Sequence, residues 1–438
     1  MVEVTSKEQL HSVQLRGLQW TVRHCYEGSD FYRKRFDEAG VEPEQIRTLD
    51  DLRRLPFTTA SDLRDGYPLP LLSVPIKDVA RVHSSSGTTG KRKVLAYTRN
   101  DVAEWARFFA RCFRTAGVGP GDRVQNANGY GLWTAGVGFQ AAIEEAGAMA
   151  IPIGGGQLEI QCELLEDLQA TVFTSTASMS LLLGEEIERR NLRDKIAVRT
   201  VIMGSERTSE AMRERIRELF GAEHVHDITG MTELYGPGAG IDCRQHSGIH
   251  YWADCYILEI LDPATLEPVP EGETGEMVVT TLRKEGSPLV RYRTRDLNRF
   301  FPGPCACGSV MPRHDRILGR SDDMIIFKAT NIYPGQIDEV LSGIPDVSSE
   351  YNVLLERRGL RDYMTVRVER RRDGDPASDA RVAKEVQDKI KSRIMVTAAV
   401  EILDYEALPR SERKSKRVID RRSSILEAER AAAEVLNG

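Results

Sequence analysis

The sequence predicts an α/β protein of two domains: a large, multi-layered one with mixed sheets over residues 1–319, and a small α+β one over 320–438. Three observations predict it. At 438 residues the chain is too long for one ordinary domain. Between about residues 100 and 235, helical runs alternate with short β-branched runs, the pattern of parallel strands joined by crossovers. After Gly319 a fresh set of strands and helices begins, so a boundary is expected near Arg320 to Asp323.

Taken in order, the first eighty residues read mainly as helices. Glu8 to Ser29 and Phe31 to Gly40 carry helical periodicity, and Thr59-Ala60-Ser61-Asp62 reads as a helix cap. The β-branched runs that follow include Ala148 to Ile153, Ala170 to Thr174 and Thr200 to Gly204. From His250 to Phe301 the pattern changes to strands and turns, as in Tyr256 to Leu261 and Gly275 to Thr280. A charged loop is expected from Arg370 to Asp379.

Composition excludes several classes. Hydrophobic residues make up 41% of the chain, enough for sizeable cores, and a net charge of -6 argues against a general nucleic-acid or membrane-surface binder. No apolar run reaches the 18 residues of a membrane span, and the charged start lacks the apolar core of a secretory signal. Seven scattered cysteines do not form a disulfide framework. A cytoplasmic protein is expected.

The most informative stretch is Ser84-Ser85-Ser86-Gly87-Thr88-Thr89-Gly90-Lys91. Glycines let the backbone approach an anion closely, hydroxyl and N–H groups bond its oxygens, and Lys91 adds charge. Such a loop suits a polyphosphate. The Walker spacing is absent: two residues separate Gly87 from Gly90, and Arg92 follows Lys91. A polar surface loop is the plain alternative.

This segment resembles the phosphate-binding loop of adenylate-forming enzymes, the superfamily of acyl-CoA synthetases, luciferases and adenylation domains. Further segments match in order. Asp227-Ile228-Thr229-Gly230-Met231-Thr232-Glu233 resembles the adenine- and magnesium-binding motif, and Arg291 to Leu297 the ribose-binding motif. Gly319 to Met324 is similar to the interdomain hinge, and Pro409 to Lys414 to the segment bearing the catalytic lysine. Asn128 to Thr134, Arg291 to Asp296 and Asn331 to Pro334 point to the phenylacetate–CoA ligase branch. The resemblance runs from about residue 10 to 425.

The resemblance implies activation of a small aromatic carboxylic acid by ATP through an acyl-adenylate, then transfer to the thiol of CoA. Ser84 to Lys91 would hold the β- and γ-phosphates, Glu233 would bind Mg2+, and Asp296 would accept from the ribose hydroxyls. Gly204, Ser205 and Glu206 would line the adenine and acid side, with Arg320 at the nucleotide. Lys414 would stabilise the adenylation transition state, with Lys416 as the alternative because Arg413 stands where glycine is usual. Asp322 would be the hinge of a mobile small domain. Thr229 replaces the usual aromatic, so stacking on adenine worth ~1 kcal/mol is missing.

Tyr130 and Trp133 match the aromatic pair of the acid pocket, with Phe139 nearby; core packing is the plain alternative for such aromatics. Cys243, His250, Cys305 and Cys307 match positions that hold a structural Zn2+ in some relatives, and a closed Cys3His set would staple loops without catalysing. Free cysteines in a turn are the alternative. A homodimer is common among relatives, and neither nucleic acid nor membrane is an expected partner. Two other functions stay open: the acyl group passing to an amine or carrier protein, or AMP to a phenolic cofactor, and a nucleotide-binding regulator without catalysis.

Overall fold

The computed structural model describes residues 4–85, 91–206, 208, 210–321, 325–327, 330–358, 361–408 and 417–422. The chain divides into two compact units: Met1–Arg207 with Ile216–Ile317, and Thr208–Arg215 with Leu318–Gly438.

In the first unit, the helix Lys7–Gly28 buries Leu10, Leu18, Val22 and Cys25, a face spaced at three to four residues. Ser6 Oγ starts it by accepting from the Gln9 N–H at 3.2 Å. Asp30–Ala39 follows and ends at Gly40, whose φ of +62° needs no Cβ to be accommodated. The expected cap at Thr59 opens the short helix Ala60–Asp65 with a reciprocal Thr59–Asp62 capping box.

Among the described residues, nine strands form the main sheet, in the order Phe300–Phe301, Arg313–His314, Ile249–Tyr251, Gly236–Asp242, His224–Met231, Thr200–Gly204, Val172–Thr176, Arg123–Asn126 and Met149–Ile151. The five strands from Met149–Ile151 to His224–Met231 pair in parallel, and helices lie between them in sequence. The others pair antiparallel. Thr200–Gly204 is buried along its whole length, as a strand covered on both faces must be. A second sheet carries Tyr256–Leu261, Gly275–Thr281 and Tyr292–Asn298 in antiparallel register.

A separate hairpin pairs Val79–Ser84 with Val94–Thr98, Ser84 opposite Val94. Ser84 and Ser85, the first residues of the serine–threonine stretch, therefore lie at the end of one hairpin strand, and Lys93 lies just before the other. The helix Arg99–Thr115 leaves this hairpin through a Thr98–Asp101 capping box. It buries Trp105, Phe108, Phe109 and Phe113 into the main core. Asp101 is fully buried and also accepts from the N–H groups of Glu285 and Gly286, both at 2.8 Å.

The second unit has its own core. Strands run in the order Ala399–Leu403, Arg361–Arg370, Val347–Arg358 and Val418–Asp420. The middle pair is antiparallel and each outer strand is parallel to its neighbour. Val353, Leu355, Val366 and Val368 pack with Ile337 and Val340 of the helix Pro334–Ser342, and with Val382, Val386 and Ile390 of Asp379–Ile394. The segment expected as a charged loop is tied down: Arg370 forks onto both carboxylate oxygens of Asp379 at 2.8 and 2.7 Å. Among the described residues, no helix is long and apolar enough to cross a membrane.

Gly238 shows how tightly the helix Arg99–Thr115 meets the sheet. Its φ is +88°, and a Cβ there would lie 2.1 Å from the Phe109 ring. Gly238→Ala is expected to destabilise the first unit by about 3 kcal/mol through overpacking and backbone strain. A urea or thermal melt checks this, and a loss below about 1 kcal/mol would contradict the packing.

Candidate active site

The hairpin tip begins at Ser84, which is fully buried and donates its N–H to Leu132 O at 3.1 Å. Ser85 donates its N–H to Lys93 O at 3.1 Å. The hydroxyl oxygens of both serines are buried without a hydrogen-bond partner among the described residues. Buried hydroxyls in that state are uncommon and suit a site that receives a polar ligand. Ser86, Gly87, Thr88, Thr89 and Gly90 lie outside the described residues. Lys91 is exposed, its ammonium 5.3 Å from the centre of the Tyr67 ring.

Glu233 sits in the turn after the strand His224–Met231 and is 7% exposed. Lys93, from the far side of the hairpin tip, pairs with its carboxylate, and the Tyr292 hydroxyl donates to Oε1 at 3.4 Å. Burial pushes the Glu233 carboxyl up, but the adjacent Lys93 ammonium and its hydrogen bond bring it below the usual carboxylate range. A charged carboxylate is thus held ready in a buried turn. The backbone of that turn is also pinned. The Tyr97 hydroxyl lies 2.8 Å from Tyr235 O and 3.1 Å from Thr232 O. The Lys284 ammonium donates to Glu233 O at 3.1 Å and Leu234 O at 2.6 Å.

Asp296 lies on Tyr292–Asn298, the strand that also supplies Tyr292. Its N–H donates to Thr294 Oγ1 at 3.0 Å. Arg293 and Arg295, which precede Asp296 on this strand, both reach Glu276, at 2.8 and 3.4 Å. Three segments far apart in sequence therefore meet through Lys93, Glu233 and Tyr292: the hairpin tip, the 227–233 motif and the 291–297 motif.

Asp227 is buried; its N–H donates to Asp242 Oδ1 at 2.7 Å, and Arg316 Nε is 3.4 Å from its Oδ2. Thr229, Met231 and Thr232 are half-buried along the same run, and Gly230 is exposed. A Cβ on Gly230 would lie 2.2 Å from Gly236 O, so only glycine fits this close strand approach. Gly204 is similar, with Ile228 O 2.9 Å from its virtual Cβ. Ser205 has φ +69° and is exposed where the strand ends. Glu206 Oε2 accepts from Ser178 N at 2.7 Å, capping the first turn of the helix Ala177–Arg189.

Tyr130 is half-buried; its hydroxyl accepts from Asn126 Nδ2 at 3.0 Å and donates to Gln140 Oε1 at 3.1 Å. Trp133 is half-buried beneath the Arg92 guanidinium at 5.8 Å. Phe139 corrects an expectation. It is 2% exposed and packs edge-on against Phe109 at 4.9 Å and Phe113 at 6.2 Å, so it is core and does not face an acid pocket. The helix Ala135–Glu145 turns that position inward, as core periodicity requires. Arg320 is half-buried on Gly319–Arg320, while Asp322, Lys414 and Lys416 lie outside the described residues.

The cysteines converge. One donor atom from each of Cys243, His250, Cys305 and Cys307 lies within 4.8 Å of the other three. Cys243 Sγ is 3.7 Å from Cys305 Sγ, and Cys307 Sγ is 3.3 Å from His250 Nε2. Those are close to the ~3.3–3.8 Å edges of a tetrahedron with Zn–S ~2.3 Å and Zn–N ~2.0 Å. The His250 Nδ1, 2.9 Å from Met311 O, orients the ring so that Nε2 faces the thiols. Burial pushes the Cys243 thiol up to about 12. Burial acts the same way on Cys305, but hydrogen bonds from Ser247, the Cys307 backbone and His250 outweigh it and bring it down to about 6.

Lys93, Tyr97, Lys284 and Tyr292 were missed from sequence. Lys93 had a signal, as the last residue of the basic run after Gly90; Lys284 had none, since only the fold buries it under the Glu233 turn.

The chain matches the AMP-binding enzyme family over residues 24–282 and the AMP-binding enzyme C-terminal domain over 329–422. It is 40% identical to the phenylacetate-coenzyme A ligase of Escherichia coli (strain K12), over 97% of this chain and 98% of that one. Among solved structures, 2-hydroxyisobutyryl-CoA ligase in the postadenylation state with 2-HIB-AMP superposes at TM-score 0.88 and 26% identity, covering 99% and 94% of the two chains. The same ligase with 2-HIB-AMP and CoA in the thioesterification state gives 0.70 and 27%, covering 99% and 94%. Fold and site together define an adenylate-forming ligase, an enzyme that joins an acid to CoA with cleavage of ATP to AMP. Within that class, the chain belongs to the phenylacetate–CoA ligase family.

Burial pushes Lys284 down from 10.5 to about 7. Between about pH 7 and 10.5 the unfolded chain therefore holds one proton at this site that the folded chain lacks, so folding stability rises with pH across that window. Lys284→Met is expected to remove this rise and to loosen the Glu233 turn. Thermal melts of both proteins from pH 6.5 to 10 check it; equal slopes would contradict the assignment.

Proposed function

We propose that this enzyme activates a small aromatic carboxylic acid as its adenylate and passes the acyl group to CoA. The supporting observation is the buried, ionised Glu233, tied to the hairpin tip by Lys93 and to the Asp296 strand by Tyr292, in a chain of the phenylacetate–CoA ligase family. Attack of a carboxylate on the α-phosphorus of ATP is opposed by the phosphate charges, so the task is neutralisation and alignment.

In this reading Ser84 to Lys91 hold the β- and γ-phosphates until pyrophosphate leaves, and Asp296 takes the ribose hydroxyls. Asp227 to Thr232, with Ser205, line the nucleotide. Glu233 fits Mg2+, since a hard cation prefers an oxygen anion, and the cation would supply charge neutralisation at the phosphates. Lys93 shields that carboxylate in the free enzyme and shifts to phosphate oxygens when nucleotide arrives. Gly204, Tyr130 and Trp133 flank the acid. Lys414, carried by residues 320–438, stabilises the charge that develops during attack, and Asp322 is the pivot for the thiol step. The enzyme operates in the cytoplasm.

An ATP–pyrophosphate exchange screen over aromatic acids, with acyl-CoA detected by mass spectrometry, tests the reading; exchange only with aliphatic acids would overturn the substrate class. Lys414→Ala is expected to lower exchange by about 10²–10³-fold, the scale of one lost transition-state donor. Near-normal exchange in that variant would move the role to Lys416.

The thiol and imidazole donors fit Zn2+, which would hold two loops of the first unit to the strand Ile249–Tyr251 with no open position for catalysis. Elemental analysis is expected to find zinc that Cys305→Ser loses, with a lowered melting temperature. Zinc content unchanged by that substitution would contradict it.

A further inference from the structure

The strand that carries Asp227 also carries His226, which belongs to a second donor cluster. One donor atom from each of His226, Asp242 and His246 lies within 4.8 Å of the other two. His226 Nδ1 is 3.4 Å from Asp242 Oδ1, and His246 Nδ1 is 2.9 Å from Asp242 Oδ2. His224, two residues before His226 on the same strand and so on the same face, closes the group. Its ring centre is 5.6 Å from that of His226 and 5.7 Å from that of His246, which are themselves 5.1 Å apart. Imidazoles sharing one tetrahedral metal at ~2.0–2.1 Å from nitrogen have ring centres separated by about that much.

The decisive feature is His226. Its side chain is fully buried, and Nδ1 lies 2.9 Å from Asp242 O, which fixes that nitrogen as the N–H donor. Nε2 then carries a lone pair, and among the described residues it has no hydrogen-bond partner. A buried acceptor left in this state costs free energy unless something binds it. A metal-bound histidine is commonly oriented in just this way, by a carbonyl or carboxylate on its other nitrogen. Asp242 contributes twice: its carbonyl fixes the His226 ring, and its carboxylate Oδ2, 2.9 Å from His246 Nδ1, stands beside that nitrogen as a second donor.

We propose that His226, His246 and Asp242, with His224 beside them, form a binding site for a divalent transition cation of the zinc type, separate from the Cys243–His250–Cys305–Cys307 set. Imidazole nitrogens with one carboxylate select such an ion over Mg2+ or Ca2+, which prefer all-oxygen shells. The bound ion would brace Asp242, whose Oδ1 holds the N–H of Asp227 at the start of the nucleotide motif.

The test is equilibrium dialysis of untagged, full-length protein against Zn2+ alone, with metal counted by elemental analysis. His246→Ala leaves the core untouched, because that side chain is 32% exposed. It is expected to lower uptake by one equivalent per chain, as is His226→Gln. Cys305→Ser is expected to keep the equivalent that His246→Ala removes, and excess Mg2+ should not compete for it. Equal uptake by wild type and His246→Ala overturns the proposal, and so does loss of all added zinc in Cys305→Ser. Should His226→Gln fail to fold, His246→Ala alone decides.

Discussion

A buried carboxylate that stays charged is the constraint around which the first unit is arranged. Glu233 would be expelled from its turn, or neutralised there, without a cation against it. Lys93 supplies that cation from the hairpin tip, and Tyr292 adds a donor from the neighbouring sheet. Because breaking a buried pair leaves an uncompensated charge, the three segments are held in mutual register. Lys93, the turn bearing Glu233 and the strand Tyr292–Asn298 are adjacent as a result.

The support beneath that turn is equally electrostatic. Lys284 donates to two turn carbonyls and lies 4.5 Å from the Tyr97 ring centre and 5.1 Å from that of Tyr235. Two rings whose faces attract a cation, with carbonyls beyond them, make a pocket that tolerates an amine where water cannot follow. Asp101 nearby is satisfied by backbone N–H groups and ties the helix Arg99–Thr115 to the strap after Lys284. Packing does the rest: Gly238 allows Phe109 to approach the sheet more closely than any Cβ would permit.

Metal-type chemistry is concentrated on one short stretch. Asp242 and Cys243 are consecutive, and consecutive residues of an extended chain point to opposite sides. One residue therefore faces the histidines and the next faces the thiols, and the two clusters form without sharing a donor.

Much was legible in the amino-acid order. The helices of the first forty residues, the buried parallel strands and the second α+β unit follow from local periodicity, because helix and strand faces repeat every 3.6 and two residues. Gly204 and Gly230 state a local requirement, since each lies where a neighbouring strand passes too closely for a Cβ. Tertiary structure alone decided what each long side chain touches. Phe139 has the same local pattern whether it lines a pocket or a core, and the helix facing it chose the core. Lys93 and Lys284 lie 140 and 51 residues from Glu233 in sequence, and no local rule carries a charge that far. His226 needed Asp242 and His246, brought to it by an antiparallel strand and a turn, before its bare nitrogen had meaning.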